Sequence, residues 1–311
     1  MKVMIAGATG LIGKKLVKGL IERGDSVFVI GRSVDKIKSI WGEKVLAIEW
    51  NPRNPESGSN KNLSAALGEV DGVINLAGEN VGGKRWSAAF KKIILESRIQ
   101  STNLLVRFIT ENKIKPRVYV GASAIGYYGA KREGEITEES EPGTDFMAMV
   151  TKEWEAASAK LNEENIRRVV LRFGVVLSKE EGALKKMLLP FKMFVGGPLG
   201  TGRQWFPWVH IDDVVSAILF SLDREVAGSF NVVSPEIATM NEFCEGLGKV
   251  MKRPSFFKVP GFVLKIVLGE FADYVLNGAK IKPARLEEAG FEFKYTQLSE
   301  ALKNLLRTVR G

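Results

Sequence analysis

Cysteine and histidine each occur once in the 311-residue chain, as Cys244 and His210. A lone cysteine excludes an intramolecular disulfide and a cysteine-rich metal site. A lone histidine sets aside multi-histidine zinc chemistry and Ser-His-Asp hydrolysis, so no metal is expected. Long apolar runs are missing as well. The longest, around Val259 to Leu268, contains Pro260 and Lys265 and is too short to span a bilayer, so it reads as a buried helix. There is no low-complexity tract or internal repeat. The first strand pattern starts at Lys2, which leaves no room for a signal or transit segment ahead of the fold and makes a cytoplasmic location the expectation.

The composition itself is that of an ordinary soluble protein, with 45% hydrophobic and 26% charged residues. The net charge of +9 reads as basic residues scattered among acidic ones. That pattern favours solubility and help in holding an anionic cofactor over nucleic acid as a partner.

Lys2-Val3-Met4-Ile5-Ala6 reads as a buried strand, and it runs into Gly7-Ala8-Thr9-Gly10-Leu11-Ile12-Gly13 and then an apolar-periodic helix. This is the start of a dinucleotide-binding unit: Gly7 for the tight turn, Gly10 for backbone approach to a pyrophosphate, and Gly13 for close helix packing. The helix N-terminus offers unpaired N–H groups and a positive dipole end to the phosphates. A second strand, Ser26 to Ile30, ends at Gly31-Arg32-Ser33. A carboxylate there would suit NAD, whereas Arg32, with Ser33 and Lys36, suits the 2′-phosphate of NADP(H). A solvated basic turn, with Asp35 close by, is the plainer alternative.

A third strand is expected over Val45 to Trp50, followed by a loop over residues 51–60. The run from Gly72 is a fourth strand, and the small residues Ala77 and Gly78 at its carboxyl end leave room for a flat ligand. A helix runs through Ser97-Arg98 to Thr110. Strand five, Arg117 to Val120, delivers Ser123 to Gly129 to the same sheet edge. A helix over Phe146 to Leu161 and a strand over Arg168 to Arg172 complete six strands. The fold class is therefore α/β: a Rossmann-type doubly wound parallel sheet over residues 1–178, with a smaller C-terminal α/β substrate lobe over residues 179–311. Part of residues 205–235 is expected to return to the sheet. Trp86, Trp205, Phe206 and Trp208 form either a pocket wall or a seam between lobes, and Arg203 and Lys84 are either a site for an acidic substrate or solvated loop residues.

The glycine turn, Asn75-Leu76-Ala77-Gly78-Glu79, Trp86 with Ser97-Arg98, Ser123 to Gly129, Arg172 to Leu177, and Trp208 to Asp213 together resemble the extended short-chain dehydrogenase/reductases. The resemblance is to the atypical branch of epimerase-family proteins with a C-terminal domain of unknown function, in the NAD-dependent epimerase/dehydratase superfamily. Phe230-Asn231-Val232, Arg253-Pro254, Lys282-Pro283 and Gly290-Phe291 extend it over nearly the whole chain. It implies NADP(H) across the carboxyl ends of the strands. Gly10, Leu11 and Ile12 would lie at the pyrophosphate, Arg32 at the 2′-phosphate, and Leu76 and Ala77 on the ribose and adenine side, with Gly7, Thr9, Gly13, Gly31, Ser33, Gly78 and Glu79 completing the cofactor-binding set. Arg98 would be a further anion contact, its alternative being a solvated helix face. Val175 and Val176 would meet the nicotinamide while also serving as strand core.

The family's Tyr-x-x-x-Lys pair uses the lysine to lower the tyrosine pKa and hold the nicotinamide ribose. Here Lys152 fits the lysine, but Ala148 stands where the tyrosine is expected, and Ala124 takes the place of the usual hydroxyl with Ser123 one position before it. Ser123, Tyr127, Tyr128 and Lys152 are the catalytic candidates. Each tyrosine is alternatively a packing aromatic, and Glu79 is either an unusual carboxylate beside the cofactor ring or a cap. His210 reads as a buried histidine at a lobe junction. Two functions stay open: an NADP(H)-dependent oxidoreductase or epimerase-like enzyme on an unidentified small molecule, and a non-catalytic NADP(H)-binding redox sensor or scaffold. Neither nucleic acid nor membrane is expected as a partner, and a homodimer is an expectation from the resemblance alone.

Overall fold

In the computed structural model, residues 1–54, 66, 68, 70–111 and 115–307 are described; residues 55–60 of the expected 51–60 loop lie outside them. Seven strands form one sheet: β1 (Lys2–Ala6), β2 (Ser26–Gly31), β3 (Leu46–Glu49), β4 (Gly72–Asn75), β5 (Val118–Ala124), β6 (Arg167–Phe173) and β7 (Gly228–Val232). Their spatial order is β7-β6-β5-β4-β1-β2-β3 and every pairing is parallel. The order reverses between β1 and β4, which opens a crevice at their carboxyl ends where ligands bind in such sheets.

The strands are apolar because both faces are covered. Val3 and Ile5 point into one core with Val27 and Val29, and Met4 and Ala6 point into the other with Phe28 and Ile30. The first core is closed by α1 (Leu11–Glu22), whose Leu16, Val17 and Leu20 are buried at helical spacing. The second is closed by Leu104, Leu105 and Ile109 of α3 (Ala88–Glu111), while α2 (Val34–Trp41) packs along β3. Strand five is longer than expected because β5 pairs with β6 from Val118 to Ala124. The helix expected to reach Leu161 ends earlier, as α4 (Phe146–Ala156), and a separate turn covers Ala159–Asn162.

Beyond β6, α5 (Gly182–Lys192), α7 (Met240–Met251) and the last helix, Leu298–Leu306, share a third core. Trp208 and Phe206 belong to that core, so they form a seam. Between β6 and β7, α6 (Ile211–Asp223) returns to the sheet and packs on α1.

Two expectations are corrected. The helix over the longest apolar run, α8 (Gly261–Leu268), has no buried residue. It lies on the surface with Phe262, Ile266 and Val267 at 68, 70 and 62% exposure, since its eight residues pack too little to bury that face. The acidic residues, in turn, are not spread evenly among the basic ones. Residues 182–203 carry Lys185, Lys186, Lys192 and Arg203, and residues 246–269 carry Lys249, Lys252, Arg253, Lys258 and Lys265, with no Asp or Glu in either stretch. Those nine cations equal the net charge of the whole chain, +9.

The packing of α1 on the glycine turn is the tightest approach in the sheet's first crossover. A Cβ at Gly13 would lie 2.3 Å from the Gly7 carbonyl oxygen and 2.6 Å from the Ala8 Cα. Because the obstructing atoms are backbone, Gly13→Ala is expected to lower stability by about 3 kcal/mol, at the upper end of overpacking costs. Urea unfolding measures this, and an unchanged midpoint would mean that α1 can shift off the turn.

Candidate active site

Gly7 sits at φ +83°, and a Cβ there would lie 2.7 Å from the Leu76 carbonyl carbon, so the turn and the end of β4 touch. Gly10 is the N-cap of α1, with no side-chain cap on the helix. A Cβ at Gly10 would meet nothing nearer than the Gly7 oxygen, 3.4 Å away. This position therefore faces open space in front of uncapped N–H groups, a cradle that fits a phosphate. Leu11 and Val176 both flank Gly182, which brings the short strand that follows β6, Val175–Leu177, beside the same turn.

The β4 edge is pinned by a buried polar network. Asn75 Nδ2 donates to Thr102 Oγ1 (3.0 Å) and Tyr119 Oη (3.2 Å), while its Oδ1 accepts from the Ala77 N–H (3.1 Å). The Glu79 N–H donates to Ser97 Oγ (3.0 Å). Arg98 runs along Gly78, where a Cβ would lie 3.2 Å from its Cγ. Burial lowers its pKa to about 10, with Glu79 opposing the shift. Among the described residues, its guanidinium donates to Ile94 O (2.9 Å), so most of its five N–H donors stay available for an anion. Arg98 is thus no solvated helix residue. At the β2 end Arg32 is exposed, and Ser33 Oγ caps α2 by accepting from the Lys36 N–H at 3.2 Å.

The catalytic candidates are sorted by one ion pair. Arg172 on β6 is 4% exposed and donates from Nε and Nη2 to the two Glu155 oxygens, 2.9 Å each. Burial works against its charge, but the Glu155 carboxylate outweighs this and raises the Arg172 pKa. Ser123 Oγ donates to the same carboxylate at 2.6 Å. Its hydroxyl is therefore committed to Glu155, which corrects its reading as a catalytic hydroxyl.

Tyr128 is corrected too. It is fully buried, with its hydroxyl donating to Asn231 Oδ1 (2.7 Å) and accepting from Arg172 Nη1 (2.9 Å), and burial raises its pKa. Lys152 is corrected for a different reason. The inward face of α4 is Met147, Ala148, Val150, Thr151 and Trp154, so Lys152 falls on the exposed face beside Met149 and Glu153. Tyr127 remains. Its ring lies under the Arg172 guanidinium at 3.5 Å and edge-on to Tyr128, and its hydroxyl has no hydrogen-bond partner among the described residues.

A cavity of about 600 Å³ adjoins this region, lined by Trp86, Gly129, Asp145, Phe146 and Tyr274 among others. The glycine turn is not part of its wall, so it suits a substrate better than the dinucleotide. Sequence reasoning missed Tyr274, which carries no motif. Its hydroxyl accepts from the Met147 N–H at 3.1 Å at the start of α4, and burial together with Asp145 raises its pKa. Trp86 walls the cavity and stacks near Phe271 and Tyr274, separate from Trp208.

Comparison with known proteins follows the same outline. The model of the NAD dependent epimerase/dehydratase family matches residues 3–233, and a domain of unknown function, DUF1731, matches residues 259–305. The epimerase family protein SDR39U1 homolog, chloroplastic, of Arabidopsis thaliana is 40% identical, covering 99% of this chain and 87% of that protein. The epimerase family protein SDR39U1 of Mus musculus is 37% identical, covering 98% and 100%. A crystal structure of human epimerase family protein SDR39U1 (isoform 2) with NADPH has a TM-score of 0.87 at 34% identity, covering 98% of this chain and 99% of that one. UDP-glucuronic acid 4-epimerase from Bacillus cereus shares the fold, with a TM-score of 0.78 at 20% identity over 97% of each chain.

His210 has a structural task. It is 1% exposed, caps α6 by accepting the Asp212 N–H on Nδ1 (3.0 Å), and stacks on Tyr295. Burial lowers its pKa to about 4, so it is neutral in the fold. An unfolded histidine titrates near 6.5. The contribution is therefore whole above that pH and is lost as pH falls through it towards 4. Melting temperatures between pH 7 and pH 4 are expected to fall less steeply for His210→Asn than for the parent protein; parallel curves would remove His210 as a source of acid lability.

Proposed function

The chain belongs to the NAD dependent epimerase/dehydratase family, and on that premise we propose that it is an NADP(H)-dependent oxidoreductase or epimerase-like enzyme acting on a small molecule. The observation that carries the reading is the open cradle at Gly10 in front of the uncapped α1 N-terminus, with the exposed Arg32 at the neighbouring strand end. The NADPH in the human relative supports the choice of cofactor.

In this reading the Thr9 to Ile12 backbone holds the pyrophosphate, with Gly7 and Gly13 shaping the turn. Gly31, Arg32 and Ser33 receive the 2′-phosphate. Leu76, Ala77, Gly78 and Glu79 border the ribose and adenine side, Arg98 supplies a second cation to the phosphates, and Val175 and Val176 border the nicotinamide. When bound, the dinucleotide supplies hydride transfer. The protein's part is to hold the substrate in the adjoining cavity and to move a proton.

Tyr127 is the residue we assign to the proton. Ala148 replaces the family tyrosine, and the hydroxyls of Ser123 and Tyr128 are already engaged. Tyr127 keeps a hydroxyl with no hydrogen-bond partner among the described residues, while Arg172 holds its ring in place. A second reading, an NADP(H)-binding protein without turnover, is favoured by the commitment of Ser123 to Glu155 and by the lack of any tyrosine in α4.

Arg32→Ala is expected to weaken NADPH binding about tenfold or more, the size of a lost charge-assisted contact, and to leave NADH binding nearly unchanged. Equal losses in the two titrations would refute the 2′-phosphate assignment. Tyr127→Phe is expected to cut turnover about a hundredfold with NADPH affinity retained. The assay follows the reduced cofactor's absorbance across carbonyl and nucleotide-sugar substrates. Loss of cofactor affinity in this variant would make Tyr127 a packing residue, and a parent protein that binds NADPH but turns over nothing in the screen would favour the second reading.

A further inference from the structure

Of the fourteen large hydrophobic side chains exposed among the described residues, nine lie in residues 189–195 and 256–267. The fold joins these two segments into one surface. The Phe257 N–H donates to Gly196 O (3.2 Å), the Val259 N–H to Pro198 O (3.0 Å), and the Gly200 N–H to Val259 O (2.8 Å). Arg253 lies 4.2 Å over the Phe194 ring, and Phe256 packs on Phe257 with ring centres 4.5 Å apart. From α5 and the turn after it the surface receives Leu189, Met193, Phe194 and Val195. From the other segment it receives Phe256 and Phe257, then Phe262 and Ile266 one helical turn apart on α8.

The same two stretches carry the chain's cation excess. Outside residues 182–203 and 246–269, Lys plus Arg equals Asp plus Glu. Within them, Lys192, Lys252, Lys258 and Lys265 are exposed beside the apolar side chains. Of the nine cations, Lys265 has an ion pair among the described residues, with Asp273 at 3.4 Å, and the other eight have none.

We propose that this face docks peripherally onto an anionic phospholipid surface. An interfacial site combines exposed apolar side chains at the acyl boundary with cations at the headgroups, and this face offers both, with Lys192, Lys252 and Lys258 exposed alongside Phe194, Phe256 and Phe257. Charge argues against a second copy, because a symmetric contact would set cation against cation. Aliphatic composition argues against nucleic acid. Bases stack on aromatic faces, and five of the nine exposed side chains (Leu189, Met193, Val195, Ile266 and Val267) have none. No helix among the described residues is long and apolar enough to cross a membrane, so the contact is one of surface docking. This replaces the expectation that membranes are not partners, which rested on the lack of a spanning segment.

The test is flotation of the full chain with vesicles of phosphatidylcholine alone and with about one-third phosphatidylglycerol. Co-flotation with the anionic vesicles, weak co-flotation with the neutral ones, and release as salt is raised are expected. Phe262→Ser with Ile266→Ser, and separately Lys252→Glu with Lys258→Glu, should each reduce partition about tenfold or more. Both pairs are at exposed positions, and unchanged circular-dichroism melting verifies that the variants fold. The proposal is overturned by no binding to the anionic vesicles, by equal binding to both kinds, or by folded variants that float like the parent. It is also overturned if these substitutions abolish binding of a single-stranded oligonucleotide or a concentration-dependent dimer while vesicle binding persists.

Discussion

The Arg172–Glu155 pair is the constraint on which the catalytic region depends. It joins β6 to α4 and, through Ser123, Tyr127, Tyr128 and Asn231, reaches β5, the turn after it and β7. Two charges taken from water are tolerated only when their hydrogen-bonding capacity is met. Here Glu155 accepts from Arg172 and Ser123, and the guanidinium gives one further N–H, on Nη1, to Tyr128 and its face to Tyr127. Removing either partner would leave a buried charge uncompensated, at a cost of about 3–5 kcal/mol. The same satisfaction that makes the pair stable consumes hydroxyls that a dehydrogenase of this fold would ordinarily leave free.

This explains why the region carries so many candidates and so few free groups. Ser123, Tyr128 and Tyr274 all lie near the end of β5 or the start of α4, and each already has a hydrogen-bond partner. Tyr127 differs because its ring, and not its hydroxyl, is held by the network. A phenol positioned through its face keeps its proton available to a substrate, which is the physical basis of the proposed chemistry.

Charge is divided between the two ends of the molecule by different means. In the proposed cofactor site the phosphates would meet a helix N-terminus, Arg32 and Arg98, in a part of the chain, residues 1–98, that carries 16 Lys and Arg against 10 Asp and Glu. A second excess of cations lies beside the exposed apolar face of α5 and α8, where Lys192, Lys252 and Lys258 have no ion pair among the described residues. On the proposed readings, two anion-directed surfaces coexist, one built from backbone dipoles and single arginines, the other from exposed cations and hydrocarbon.

The amino-acid sequence by itself determined the sheet and the cradle. Unbroken apolar runs such as Val3 to Ala6 suit strands of a parallel sheet covered on both faces, and Gly7, Gly10 and Gly13 have roles fixed by local geometry. It also carried Arg32 and the family resemblance. Tertiary structure alone decided which hydroxyls are free, because Ser123 and Glu155 meet only when β5 packs on α4. It decided that Lys152 faces outward, since a one-residue change on a helix turns a side chain by about 100°. It decided as well that the apolar run in α8 stays at the surface: hydrophobicity marks a segment as able to be buried, and whether anything covers it depends on contacts far away in the chain.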